Sequence, residues 1–158
     1  MSTGLVLLLT FGIGIVAGLR SLTAPAVVAW AAHLGWINLA GSPLAFMGSK
    51  WAAALFTILA LVELVADQLP STPARTAPVG LGARIVMGLL CGACLGIAGG
   101  ASLWLGAIAA AVGAIAGTFG GYRARVGLVR ALHVADVAVA VPEDLIAIGL
   151  GLTIVSRF

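Results

Sequence analysis

The sequence predicts an all-α integral membrane protein, a single transmembrane domain of about five transmembrane helices with broken or re-entrant segments and an inverted repeat. Three observations carry that prediction. The first is composition: 62% of the 158 residues are hydrophobic, 8% are charged and mean hydropathy is +1.21, whereas a soluble domain is roughly 25% charged. The second is the stretch between Arg84 and Gly121, thirty-six residues without Asp, Glu, Lys, Arg or His. At about 1.5 Å per residue it would form a helix over ~50 Å long, against a bilayer core of about 30 Å, so it must fold back. The third is that the order span, break, short helix, span occurs twice along the chain.

Residues 4–19 form the first apolar run, which ends at Arg20. No Lys or Arg precedes Gly4 and Trp30 interrupts the small-residue pattern near Ala29, so this helix is expected to stay in the mature protein rather than act as a signal peptide. Arg20, Ser21 and Pro25 then break what would be one long helix, and residues 22–34 read as a short re-entrant or interfacial helix. Residues 35–48, with Trp36, Asn38, Gly41, Ser42 and Pro43, read as an interfacial loop between Trp30 and Trp51. The second span, 50–69, is clean until Glu63 and Asp67, which are four apart and share a face. Pro70, Pro73 and Pro78 punctuate a stiff connector.

The central run divides at Gly99-Gly100 into spans at 84–99 and 102–121. Gly88, Gly92 and Gly96 recur at intervals of four, as do Gly113 and Gly117, and Gly14 and Gly18 near the N-terminus. Such ridges let helix backbones approach closely in lipid, where van der Waals packing holds helices together. Residues 120–125, Gly-Gly-Tyr-Arg-Ala-Arg, should end the fourth span, with 126–132 as a second short apolar helix. Pro142, Glu143 and Asp144 should open the last helix, since proline and acids suit a helix N-terminus.

The repeat pairs residues 14–18, Gly-Ile-Val-Ala-Gly, with 113–117, Gly-Ala-Ile-Ala-Gly, and His33 with His133. Units 4–69 and 102–158, linked by the helix at 84–99, would then stand upside down relative to each other. With the N-terminus inside, Arg75, Arg84, Arg123, Arg125 and Arg130 fall inside and Arg20, Lys50 and Arg157 outside, which favours a C-terminus on the outer side.

Formal charge is +3, without the basic tract or interleaved aromatics of a nucleic-acid groove. Cys91 and Cys94 lie inside the apolar run, lack the further ligands of a zinc site, and read as packing residues. No nucleophile elbow, phosphate loop or His-Glu-x-x-His pattern is present, so no enzyme, metal or cofactor is indicated. The residues that stand out are charges within apolar segments, which are costly in hydrocarbon and are kept where they pair or face water. They are Arg20, Glu63, Asp67, Arg123, Glu143 and Asp144.

Residues 14–21 (Gly-Ile-Val-Ala-Gly-Leu-Arg-Ser), 63–67 (Glu-Leu-Val-Ala-Asp) with Pro70 and the 73–78 connector, 117–123 and 141–149 together resemble the bacterial membrane-protein family catalogued as domain of unknown function 4126. The resemblance covers nearly the whole chain and implies a multi-pass protein of the bacterial inner membrane, with Arg20, Glu63, Asp67, Arg123, Glu143 and Asp144 among its motif positions. It implies no activity. The intramembrane charges and broken helices point to transport or channelling of a small solute or ion. The alternatives are a non-catalytic assembly protein that packs through its glycine ridges, and a lipid-modifying enzyme, which would need a cleft holding several of the charged residues at one interface. Membrane lipid, a small solute or ion and a further copy of the chain are the expected partners.

Overall fold

A computed structural model describes residues 1–67 and 76–158. Among them the regular structure is wholly helical: α1 (Thr3–Leu19), α2 (Thr23–His33), a 3-10 turn (Ala45–Gly48), α3 (Lys50–Ala66), α4 (Pro78–Ala98), α5 (Leu103–Leu132) and α6 (Asp136–Val155). The all-α expectation holds. By length and composition α4, α5 and α6 are able to cross a membrane, and α1 is a shorter apolar helix. Pro70, Pro73 and Arg75, with most of the expected proline connector, lie outside the described residues.

Local chemistry sets the helix ends. Ser49 caps α3 by accepting the Ala52 amide at 3.1 Å. Pro78 starts α4, where its missing N–H has no partner to lose. The α4–α5 turn needs Gly100 at φ +72°, a left-handed conformation open to glycine at little cost. At the end of α1 the backbone of Arg20 turns extended (φ −140°, ψ 109°), and α2 starts three residues on with Pro25 in its first turn.

The chain then doubles back. Arg20 meets Asp144 on α6, and further along α2 Val27 packs beside Gly151. Thus α2 runs in the same direction as α6 and returns along α1. Helix α3 is antiparallel to α2, since Leu22 meets Glu63 and Trp30 donates to Thr57 Oγ1 at 2.8 Å. The innermost layer is α1, α4 and α5, with Ile13, Val16, Leu95, Ala110 and Ala114 buried between them. Leu61, Val65, Trp104, Leu145 and Ile146 face outward, as expected where hydrocarbon is the solvent.

Five expectations are corrected. Helix α5 passes unbroken through Gly120, Gly121 and Arg123, and residues 126–132 are its last turns; without a proline nearby, its backbone ladder outlasts the glycine pair. Helix α6 starts at Asp136 with Pro142 inside it, and α4 starts at Pro78, earlier than Arg84. Helices α1 and α5 run parallel, because Gly14 lies against Ala110 and Gly18 against Ala114 and Thr118; an inverted relation of units 4–69 and 102–158 requires them antiparallel. Finally, Val6 and Phe158 both flank Gly99, so the two chain ends share one end of the bundle rather than lying on opposite sides.

This last point is directly measurable. Cysteines introduced as Ser2→Cys and Ser156→Cys, both exposed, should react with an impermeant maleimide from the same side of sealed membranes, and Arg130→Cys from the other. Native Cys91 and Cys94 are buried and should stay silent. Labelling of Ser2→Cys and Ser156→Cys from opposite sides would contradict the observed bundle.

Candidate functional site

Charged residues in this chain are few, and the fold draws most of them to one end of the bundle. Arg20 is fully buried at the C-terminus of α1. Its guanidinium donates through Nη1 to Asp67 at the end of α3 and through Nε to Asp144 on α6. One cation therefore ties three helices together. Its Nη2 is buried and has no hydrogen-bond partner among the described residues. Asp67 follows the last residue of α3, where the helix dipole disfavours a negative charge; Arg20 supplies the compensating positive one. The two aspartates keep a small exposed edge, with side chains 17% and 13% exposed.

Glu63 does something different. Its carboxylate accepts the Ser21 amide (2.8 Å), the Ser21 hydroxyl (2.7 Å) and the Leu22 amide (2.8 Å). Those amides are at the start of α2, so a side chain from α3 serves as the cap that Leu22 cannot provide. Arg84 Nη2 lies 3.9 Å from Glu63 Oε1, and its Nη1 donates to Gly80 O at 3.1 Å. On the adjoining hairpin Arg125 holds Asp136 through two hydrogen bonds, one of 2.9 Å from Nε, and approaches Glu143 Oε2 at 3.4 Å.

Five of the six charged residues singled out in the sequence, Arg20, Glu63, Asp67, Glu143 and Asp144, thus stand in these linked ion pairs. Arg123 does not: it is exposed on α5 and forms no ion pair among the described residues. Arg84, Arg125 and Asp136 belong to the cluster and were not among the six. Asp136 had a usable signal, as one of only five acids in the chain. Among the described residues the cluster gathers all five acids of the chain and three arginines.

The glycines of the inner helices bring them into contact. Gly14 and Gly18 of α1 face Gly113 and Gly117 of α5, and a Cβ on Gly113 would stand 3.1 Å from Gly14 Cα. Gly88 and Gly92 of α4 meet Ala110 and Gly106 of α5, and Gly96 meets Ser102 just before α5. The two similar five-residue motifs are therefore the two halves of one parallel crossing. Thr118 pins it, donating to Ala114 O at 2.7 Å and reaching Gly18 O at 3.3 Å. His33 sits by Gly48 O at 3.1 Å, and His133 takes the left-handed conformation (φ 52°) that ends α5. No group of three or more metal-ligating side chains occurs among the described residues.

Buried ion pairs linking apolar helices, in a chain with helices of membrane-spanning length, decide the class. The chain belongs to the family described as domain of unknown function (DUF4126), which matches residues 7–156. Comparison with curated proteins and with solved structures finds no match. This DUF4126 protein is a multi-pass, all-α membrane protein whose acids are gathered at one end of its bundle.

Proposed function

We propose that this DUF4126 protein is a proton-linked transporter of a small solute or ion in the bacterial inner membrane. The observation that supports this reading is the sharing of Arg20: a fully buried cation joined to one carboxylate from α3 and another from α6, each still partly exposed. A proton taken up by Asp67 or Asp144 converts a carboxylate to a neutral acid and removes one of the two attractions on Arg20. Helix α3 or α6 is then less firmly held to α1. Proton occupancy and helix position are thereby linked, as coupled transport requires. Glu63 belongs to the frame in this reading, since its oxygens already hold the start of α2.

Proteoliposomes containing a trapped pH dye test the proposal. Offered a panel of inorganic and organic ions, wild-type vesicles should move protons at least tenfold faster than protein-free ones for one member of the panel. The D67N/D144N double variant should fall to the protein-free rate. Equal proton movement in wild type and double variant, or none above background for any ion, would sink the reading.

A further inference from the structure

Helix α5 is longer than a membrane needs. Its 30 residues rise about 45 Å, against a bilayer core of about 30 Å. Trp104, in its first turn and largely exposed, suits one membrane interface. Counting about 28 Å along the axis from there reaches Arg123, at the opposite interface. Residues 124–132 extend past the hydrocarbon.

Spacing sets two arginines on one exposed line. Ile108, Val112, Phe119, Arg123 and Arg130 follow one another at intervals of four, seven, four and seven, so they share one side of α5. All of them are exposed. Neither Arg123 nor Arg130 has an ion pair or hydrogen bond among the described residues. Arg125, two positions on and so about 200° round the helix, faces the other way. It engages Asp136 and Glu143, which have further interactions of their own.

We infer that this line binds an anionic phospholipid, with its phosphate between Arg123 and Arg130 and its acyl chains along Phe119, Val112 and Ile108. The site goes beyond the transport reading and does not depend on it. Position supports the headgroup end. The headgroup layer adds roughly 5–8 Å on each side of the core. Arg123 stands at its inner edge. Arg130 is two turns further out, about 10 Å, but helical side chains lean toward the N-terminus, which brings its guanidinium back toward the same layer. A guanidinium fork suits phosphate oxygens. A zwitterionic headgroup carries its own ammonium, which two arginines repel; an anionic headgroup has none, and juxtamembrane arginines attract it. Length supports the other end. From Ile108 to Phe119 the apolar line rises about 16 Å, against about 15 Å for half of the bilayer core. A free phosphate would gain nothing from that line.

The probes are phosphatidylglycerol and phosphatidylcholine with the same acyl chains, titrated into the full chain in detergent and counted by native mass spectrometry. Phosphatidylglycerol should bind at least tenfold more tightly. R123Q/R130Q should cut that preference to within twofold, whereas R123K/R130K, which keeps the charge, should retain most of it. R157Q, an exposed arginine at the other end of the bundle, should leave it unchanged. Excess glycerol phosphate should not displace the lipid. If R123Q/R130Q fails to elute as monodisperse protein, the single variants R123Q and R130Q carry the test, each losing at least threefold of the preference. Equal binding of the two lipids, a preference that survives the glutamine changes, or an equal loss in R157Q overturns the site. Displacement by glycerol phosphate overturns the lipid as its occupant. A changed oligomeric state in R123Q/R130Q with unchanged lipid preference gives the face to a second copy of the chain instead.

Discussion

Arg20→Met should destabilise the protein by about 3–5 kcal/mol, the usual result of removing one partner from a buried ion pair. The substitution keeps a long apolar side chain in place and removes only the guanidinium. Asp67 and Asp144 are then left facing each other across a buried site, with side chains no more than 17% exposed. Arg20→Lys should rescue little. An ammonium is a point donor, whereas Arg20 sends Nε toward α6 and Nη1 toward α3 along two fixed directions. Heating in detergent followed by size-exclusion chromatography gives the apparent melting temperature of each variant. Combining Arg20→Met with D67N and D144N removes the stranded charges and should recover most of the loss, since a buried pair replaced as a whole is often nearly neutral. If Arg20→Met alone melts with wild type, the guanidinium does not tie α1, α3 and α6 together. Recovery in the triple variant separates charge from packing: lost contact area would not be restored by two amides.

Much of this architecture is readable from residue order. The break after α1 follows from Arg20, Ser21 and Pro25 in quick succession, and the return at Gly99-Gly100 from a run too long for one crossing. The charged residues of the site stand out because charge is rare in the chain. Their partners do not. Arg20 bonds to residues 47 and 124 positions away, and spacing along a helix assigns a face but never names what lies opposite. Helix direction is hidden for a related reason. Helix α2 has 11 residues, about 16 Å at 1.5 Å per residue, too short to span. Length alone therefore gives no sense of it, and the passes come out odd. Its return beside α1 and α6 depends on Glu63 capping its start from α3, a contact made only once the bundle has assembled. The run from Gly120-Gly121 to Arg125 reads as the end of a span, since Tyr122 and Arg123 suit an interface. In α5 the same pair lies within thirty continuous helical residues. Where no water competes for backbone groups, opening the ladder is the costlier choice.

Gly92→Leu should cost about 3 kcal/mol or more, the upper end for overpacking a closely packed interface. Even a Cβ at this position would overlap Gly106 O and the Ala110 side chain, and two of the atoms it meets first, Gly106 O and its carbonyl carbon, are backbone. Backbone cannot rotate away as a side chain can, so α4 and α5 must separate along the whole contact. Separation is expensive here because lipid offers no hydrophobic force to hold loosened helices together; close contact is the attraction itself. Gly14→Leu should behave alike, since its Cβ would run into Ala110 O from the α1 side. The effect should be graded. At Gly88 a Cβ stands 3.1 Å from Ala110 O and from the Ala114 methyl, so Gly88→Ala should be tolerated with a small shift and a loss of under about 1 kcal/mol. Gly127 and Gly149 have nothing within 4 Å of a built Cβ, and alanine there should leave stability unchanged or raise it by up to about 1 kcal/mol through helix propensity. Yield of monodisperse protein and apparent melting temperature across these five positions should therefore rank as Gly14 and Gly92 worst, Gly88 intermediate, Gly127 and Gly149 harmless. A flat series, with Gly92→Leu melting like Gly149→Ala, would mean that α4 and α5 are not in backbone contact, and that the charged end is supported by something other than the glycine crossings beside it.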